Sequence, residues 1–269
     1  MPVDHYENFP VASLLLPAPL RRPVELVYRF ARSADDFADE GNLSDAQRLA
    51  LLAGYHDELR RIEHGQTPQQ SLFAELAPLI RERRLPLQLF HDLLSAFEQD
   101  VVKKRYAVFD DVVDYCRRSA NPIGRLLLHL FGRVDAQSCA QSDQICSALQ
   151  LINFLQDVAL DYRKGRVYLP QDEMLRFGVT ETQIANGDPG GHWLSFMRFQ
   201  IDRCREMLRA GAPLGRAIAG RVGLEIRVTV AGGACILDKL EAAGGDMFRR
   251  RLALRALDWP YLLGRAVWQ

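Results

Sequence analysis

Asn153, Asp157 and Asp161 recur at four-residue intervals inside a segment that is otherwise apolar, with Leu151, Ile152, Phe154, Leu155 and Val158 among them. On an α-helix, residues four apart lie on one face. The segment therefore predicts a helix, over Asp143 to Asp161, with an apolar majority and one polar stripe. Solvent explains such a helix poorly, because its apolar faces need burial. The fold it predicts is a bundle of helices that buries those faces and turns the stripe toward an interior cavity.

The rest of the chain agrees with a bundle. Leu20 to Glu40 carries Leu26, Val27, Phe30, Ala34 and Phe37 at three- and four-residue spacings, the mark of an amphipathic helix. Asp45 to Glu63 repeats the pattern behind an Asn42-Leu-Ser44 cap signal. Ser71 to Arg84, Pro86 to Asp100, Val108 to Ser119, Ile123 to Phe131, Trp193 to Ala210 and Leu214 to Leu240 read as further helices, with a short one from Phe248 to Ala256. Lys164 to Gly178 reads as a loop with one helical turn, and Asn186 to Gly191 as a loop. No alternating run reads as a strand, and no linker or repeat divides the chain. We expect one all-α domain over residues 1–269, with about ten helices around a central cavity.

Composition excludes several roles. Thirty-four basic residues balance thirty-four acidic ones, so no global field draws the chain to nucleic acid. The five cysteines form no C-x-x-C pair, which argues against a disulfide framework or a zinc knuckle. The six histidines show no H-x-x-x-H spacing. The first residues lack the continuous apolar run of a secretion signal, and no stretch approaches the ~18 apolar residues that span a bilayer. A cytoplasmic location is expected, with peripheral contact with the inner membrane.

A second acidic group, Asp35-Asp-Phe-Ala-Asp39-Glu40, puts Asp35 and Asp39 on one helix face. Two such stripes of hard oxygen donors suit Mg²⁺, which commonly binds one or two carboxylates together with phosphate oxygens. Facing each other, they would gather Mg²⁺ around a diphosphate and neutralise it as a leaving group. Arg32, Arg163, Lys164 and Arg166 stand near the motifs and offer phosphate-binding donors. An EF-hand reading of Asp35 fails, because Glu40 stands where that loop needs glycine.

These residues resemble the squalene/phytoene synthase family. Asp35-Asp-Phe-Ala-Asp39 is similar to its first aspartate-rich motif. Asn153-x-x-x-Asp157-x-x-x-Asp161, continued by Lys164-Gly-Arg-Val-Tyr-Leu-Pro170, resembles its second. Phe177-Gly-Val, Ile236-Leu-Asp-Lys-Leu-Glu241 and Phe248-Arg-Arg-Arg251 extend the likeness over nearly the whole chain. The resemblance implies an isoprenoid synthase fold and an isoprenoid diphosphate substrate. It implies Mg²⁺ on Asp35, Asp39, Asn153, Asp157 and Asp161. It also implies substrate-binding roles for Tyr28, Arg32, Gln150, Arg166 and Tyr168. At the N-terminus, His5-Tyr-Glu-Asn-Phe-Pro-Val11 replaces the family's frequent serines with Glu7 and Asn8, and resembles the bacterial hydroxysqualene synthases. Tyr115 to Gly124 points the same way. His5 and Asn8 join the expected site on that ground. The implied reaction opens the cyclopropane of presqualene diphosphate and captures water to give hydroxysqualene, a step of hopanoid biosynthesis.

Two departures from the family pattern bear on the substrate. Gln156 stands where Arg is frequent, and Gly232-Gly233 where a Tyr is frequent. Both are compatible with binding one diphosphate rather than two. Asn8, Asn121 and Gln150 are candidates for holding the attacking water. Asp100 is a site candidate by position. Asp110 to Asp114, with Tyr115 and the arginines beside it, reads as a surface network. Of Phe9, Phe30, Phe37, Phe97 and Phe154, most read as core, and His129 as a core histidine. The competing functions are condensation of two prenyl diphosphates to presqualene diphosphate or phytoene, and a catalytically silent assembly factor.

Overall fold

The computed structural model describes residues 16–268. The chain is all-α, and among the described residues the only β pairing is an isolated bridge between Arg105 and Val167. The first four helices are α1 (Ala18–Asp39), α2 (Asp45–Glu63), α3 (Ser71–Arg83) and α4 (Leu87–Val102). Then come α5 (Phe109–Ser119), α6 (Asn121–Phe131), α7 (Ala136–Arg163), α8 (Gln171–Arg176) and α9 (Glu181–Asn186). The last are α10 (Trp193–Gly211), α11 (Leu214–Ala217), α12 (Gly220–Ala242) and α13 (Trp259–Trp268), with a 3-10 turn at Ala256–Asp258 before α13.

Local chemistry sets the ends. Ser44 and Gln47 form the reciprocal cap of α2. The Asp135 side chain accepts from the Ser138 amide at 2.9 Å and starts α7 two turns before the apolar stripe suggests. Asn121-Pro122 opens α6 rather than separating helices, since proline suits a first helical turn. The single helix expected over Leu214 to Leu240 is broken at Ile218-Ala219, ahead of Gly220 at φ 72°. No helix forms over Phe248 to Arg255. Arg249 there is exposed, and Arg251 is drawn off to Asp157. The sequence reading lacks α9 and α13; α13 is a short element whose Leu262 packs on Ala231 and Cys235 of α12.

Two apolar cores hold the bundle. One gathers α1 to α4 and one side of α6 around Phe30, Phe73 and Phe90. The other gathers α5, α7, α10 and α12 around Trp193, Phe196 and Ile152. Leu20 and Phe131 touch both. A cavity of about 500 Å³ follows the seam, with α1 on one side and α5, α6, α7 and α12 on the other. Gly124 brings α6 against α7, because any Cβ there would overlap Ser142 Oγ and Cys146 Sγ. All five cysteines are free thiols. Among the described residues, no helix is long and apolar enough to cross a membrane.

Candidate active site

Each of the two long cavity helices contributes a graded face. On α1 the lining runs from Val24 and Val27 through Tyr28 and Arg32 to Asp35 and Asp39. On α7 it runs from Ile145 and Leu149 through Gln150 and Asn153 to Asp157 and Asp161. Helical spacing makes this inevitable: residues three and four apart share a face, so a segment apolar at one end and acidic at the other gives a graded wall. The cavity is thus apolar along most of its length and acidic at one mouth. From Ser142 to Asp161 the α7 axis runs about 28 Å at 1.5 Å per residue.

At the mouth the carboxylates hold cationic side chains. Asp39 accepts from Lys164 Nζ at 2.9 Å and from Arg166. Asp157 is gripped by both arms of Arg251, at 2.6 and 2.9 Å. Arg32 bridges Asp35 at 3.2 Å and Asp36 at 2.7 Å. Burial pushes the Asp35 carboxyl above its usual range, against the pull of Arg32. Burial, then the charge of Asp157, pushes Asp161 up to about 8. Such groups bind a cation with release of a proton.

A second polar cluster faces the cavity below the mouth. Asp100, 3% exposed, accepts from Tyr115 Oη at 2.5 Å and from Tyr168 Oη at 2.8 Å. Arg166 in turn donates to Tyr168 Oη at 3.3 Å. Phe154 stacks flat on Tyr168, with ring centroids 3.8 Å apart. Burial raises Asp100 to about 7, against the lowering effect of its two phenol hydrogen bonds. Ser119 Oγ is buried and lacks a hydrogen-bond partner among the described residues.

The mouth, among the described residues, supplies oxygen donors and no histidine or cysteine ligands. Among the described residues, no three acidic, histidine or cysteine side chains form a closed cation cage. The donor set fits Mg²⁺ that arrives with a diphosphate, since that ion completes its octahedron with phosphate oxygens and water.

Residues 3–258 match the squalene/phytoene synthase family. The chain belongs to that family. A hydroxysqualene synthase from Rhodopseudomonas palustris is 34% identical over 255 residues, covering 94% of this chain and 85% of that protein. A 15-cis-phytoene synthase from Synechococcus elongatus is 29% identical over 257 residues, covering 91% of this chain and 83% of that one. Among solved structures, squalene synthase HpnC from Alicyclobacillus acidocaldarius superposes with a TM-score of 0.82 at 34% identity. That likeness covers 89% of this chain and 90% of its own.

Within this member of the family, Tyr28, Arg32, Asp35, Asp39, Gln150, Asn153, Asp157, Asp161, Arg166 and Tyr168 all line one cavity. His5, Glu7 and Asn8 lie outside the described residues. Arg163 is exposed and does not line the cavity. Asn121 is also not on the wall: it is buried, and its Oδ1 accepts from Ser147 Oγ at 2.8 Å, tying α6 to α7. It is therefore withdrawn as a water holder. The Gln156 and Gly233 departures likewise say nothing about diphosphate number. Gln156 is buried against the Leu252 carbonyl. A Cβ on Gly233 would meet Leu149, Leu208 and Ile152 at 3.0–3.3 Å, so this glycine lets α12 approach α7 and α10.

The structure adds Tyr115 and Arg251 to the cavity wall, and it places there Asp100, a candidate by position. Tyr115 had a signal: Val112, Tyr115 and Cys116 share the buried face of α5, while Asp114 pairs outward with Arg117 and Arg118. Asp100 sits on the apolar stripe of α4 beside Phe97 and Val101, an acid where core is due. Arg251 lies 94 residues from Asp157, and no periodicity links them. Phe97 and Phe154 line the cavity, whereas Phe30 is core and Phe37 packs on Tyr55.

Proposed function

We propose that this chain is a Mg²⁺-dependent hydroxysqualene synthase that ionises presqualene diphosphate and quenches the rearranged cation with water. One observation carries the reading: a single apolar cavity has both acidic stripes and four cationic side chains at one mouth, and a buried polar cluster further in. The identity to a hydroxysqualene synthase supports the choice within the family.

Asp35, Asp39, Asn153, Asp157 and Asp161 would hold Mg²⁺, which supplies charge neutralisation to the departing diphosphate. Arg32, Lys164, Arg166 and Arg251 offer the diphosphate charge-assisted hydrogen bonds. The C–O bond breaks with its electron pair leaving on the diphosphate. The cyclopropylcarbinyl cation then rearranges between apolar walls that keep bulk water out. The faces of Phe154, Tyr115 and Tyr168 stabilise positive charge there. One water oxygen forms the new C–O bond. Its proton passes to a phenol of the Tyr115–Asp100–Tyr168 cluster, whose own proton passes to the Asp100 carboxylate. Gln150 and Ser119 offer further partners to that water, which needs two to four.

Purified protein given presqualene diphosphate and Mg²⁺ in ¹⁸O-labelled water should release hydroxysqualene with the label in its hydroxyl, without any nicotinamide cofactor. Unlabelled alcohol, or squalene made only with NADPH, overturns the assignment. Efficient condensation of farnesyl diphosphate alone would favour a first-step synthase, and absence of turnover an assembly role.

A further inference from the structure

The loop that carries Lys164, Arg166 and Tyr168 is held from outside the cavity. Two backbone bonds end α7: the Gly165 amide donates to the Tyr162 carbonyl at 2.9 Å, and the Arg166 amide to the Asp161 carbonyl at 2.8 Å. With Gly165 at φ 80° this is a Schellman stop, and it ties Arg166 to the backbone of an acid of the mouth. The Gly165 carbonyl takes no part in it. That oxygen accepts instead from Arg105 Nη1 at 2.6 Å, which also donates to the Lys104 carbonyl at 2.8 Å. The other edge of the guanidinium, Nε and Nη2, grips both oxygens of Glu181 at 2.6 and 2.7 Å. Glu181 opens α9, whose start is fixed by a reciprocal cap between Thr180 and Gln183 and whose Ile184 is buried in the core around Trp193. Beside Arg105, the Lys104 carbonyl accepts from the Val167 amide at 3.0 Å, and the Tyr106 ring stacks on Tyr168 with centroids 5.5 Å apart. Neither Arg105 nor Glu181 lines the cavity.

We propose that Arg105 is a positioning residue for diphosphate binding. By holding the Gly165 peptide it fixes where Lys164 and Arg166 stand at the mouth, and Glu181 holds Arg105 in place. The proposal rests on the reading of the mouth as a diphosphate site. Lys164 and Arg166 both reach Asp39, and Gly165 alone separates them in the chain. Rotation of that one peptide would therefore move both cations. Glycine has no Cβ to resist such a rotation; the charge-assisted bond from Arg105 opposes it. Arg105 cannot follow the loop, because its guanidinium is engaged with two carbonyls and with both oxygens of Glu181. An ion pair that only stabilised the fold would join two elements, whereas this one reaches a third, the loop between two phosphate-binding side chains. A peptide fixed in this way keeps Arg166 aimed at the mouth when it exchanges Asp39 for diphosphate, and it spares binding the entropy of ordering the loop.

Calorimetric binding of inorganic diphosphate to the full chain in saturating Mg²⁺ tests this without any turnover. Glu181→Gln is the most telling variant, because charge and position predict opposite signs. Loss of an acid, acting by charge alone, would tighten the binding of an anion or leave it unchanged. A loosened Arg105 should weaken it about threefold, the effect of one hydrogen bond. Arg105→Ala should weaken it about tenfold, as loss of an outer-shell partner does. In an Arg166→Gln background the Arg105→Ala loss should shrink below about threefold, since a positioning residue acts through the side chain it places. Lys164→Gln, at an exposed side chain, completes the same cycle if Arg166→Gln does not fold. A Glu181→Gln protein that binds diphosphate as well as the parent or better overturns the proposal, as does an Arg105→Ala loss that stays tenfold in both backgrounds. A parent that binds no diphosphate in Mg²⁺ sinks the reading of the mouth, and this proposal with it; a parent that binds it, with variants that match the parent, sinks this proposal alone.

Discussion

Replacing Asp100 by Asn should make the protein more stable at alkaline pH and much less active. Burial lifts the Asp100 carboxyl from 3.8 to about 7. A raised acid pKa means that the folded state holds the proton more tightly than the unfolded chain does. Below pH 4 both states are protonated and the site costs nothing. Between pH 4 and 7 the unfolded chain gains by ionising while the folded one does not, so stability falls as pH rises. Above pH 7 the whole cost is present. At about 1.4 kcal/mol per pH unit, a displacement of about three units amounts to roughly 4 kcal/mol. Asparagine removes this charge and keeps the shape. It also reverses one of the two phenol hydrogen bonds, a loss of about 1 kcal/mol. The variant should therefore lie near the parent at pH 5 and about 3 kcal/mol above it at pH 8. Urea denaturation at both pH values measures the gap, with the slope of each transition checked for constancy. A gap that does not change with pH, or a variant less stable than the parent at pH 8, would refute the reasoning. Turnover measured alongside should drop, because Asn cannot take the proton that the phenols pass on.

Three more outcomes follow from the geometry. Asp157→Asn should cost at least a hundredfold in turnover, about 2.7 kcal/mol of barrier, and EDTA should abolish activity until Mg²⁺ is restored; full activity of metal-stripped protein counts against the site. Because Asp161 is raised to about 8 and Asp35 is also raised, binding of Mg²⁺ with inorganic diphosphate should tighten from pH 6 to pH 8 and release protons, seen as a buffer-dependent heat in calorimetry. Gly124→Ala should destabilise the fold by about 1–3 kcal/mol, because α6 must move off Ser142 and Cys146; thermal denaturation reads the loss.

Much of this was legible because helices repeat. The stripe at Asn153, Asp157 and Asp161 and the pair Asp35 and Asp39 each fix a face by spacing alone, and all five line one cavity. What spacing cannot give is which distant face lies opposite. Arg251 reaches Asp157 from an irregular segment, and neither its partner nor that irregularity has a periodic signature. Asn121 misled for the opposite reason. Its amide looks suited to holding water, yet an α6–α7 contact uses it up through Ser147. Gly233 misled likewise, since an absent side chain reads as open space in a sequence and is filled by leucine and isoleucine in the fold. The break at Ile218-Ala219 separates two segments whose apolar pattern is continuous, so only Gly220 hints at it.

The ion pairs at the mouth explain how so much like charge survives in a half-apolar bundle. Asp39 and Asp157 are each held by guanidinium groups, which carry the same forked donors that phosphate oxygens accept. A substrate that brings Mg²⁺ and diphosphate together can therefore exchange partners rather than add them. On binding, Asp39 and Asp157 would hold the metal, and Arg166 and Arg251 would be free to hold the diphosphate. No charge has to be desolvated alone at any stage, which is the step a low-dielectric cavity penalises most. Asp161 is not covered by such an exchange. Burial pushes its carboxyl up to about 8, so a cation bound there would displace a proton. Within this reading, the paired acids keep the empty mouth folded, and Asp161, which has no ion pair among the described residues, makes its ionisation depend on substrate and metal arriving together.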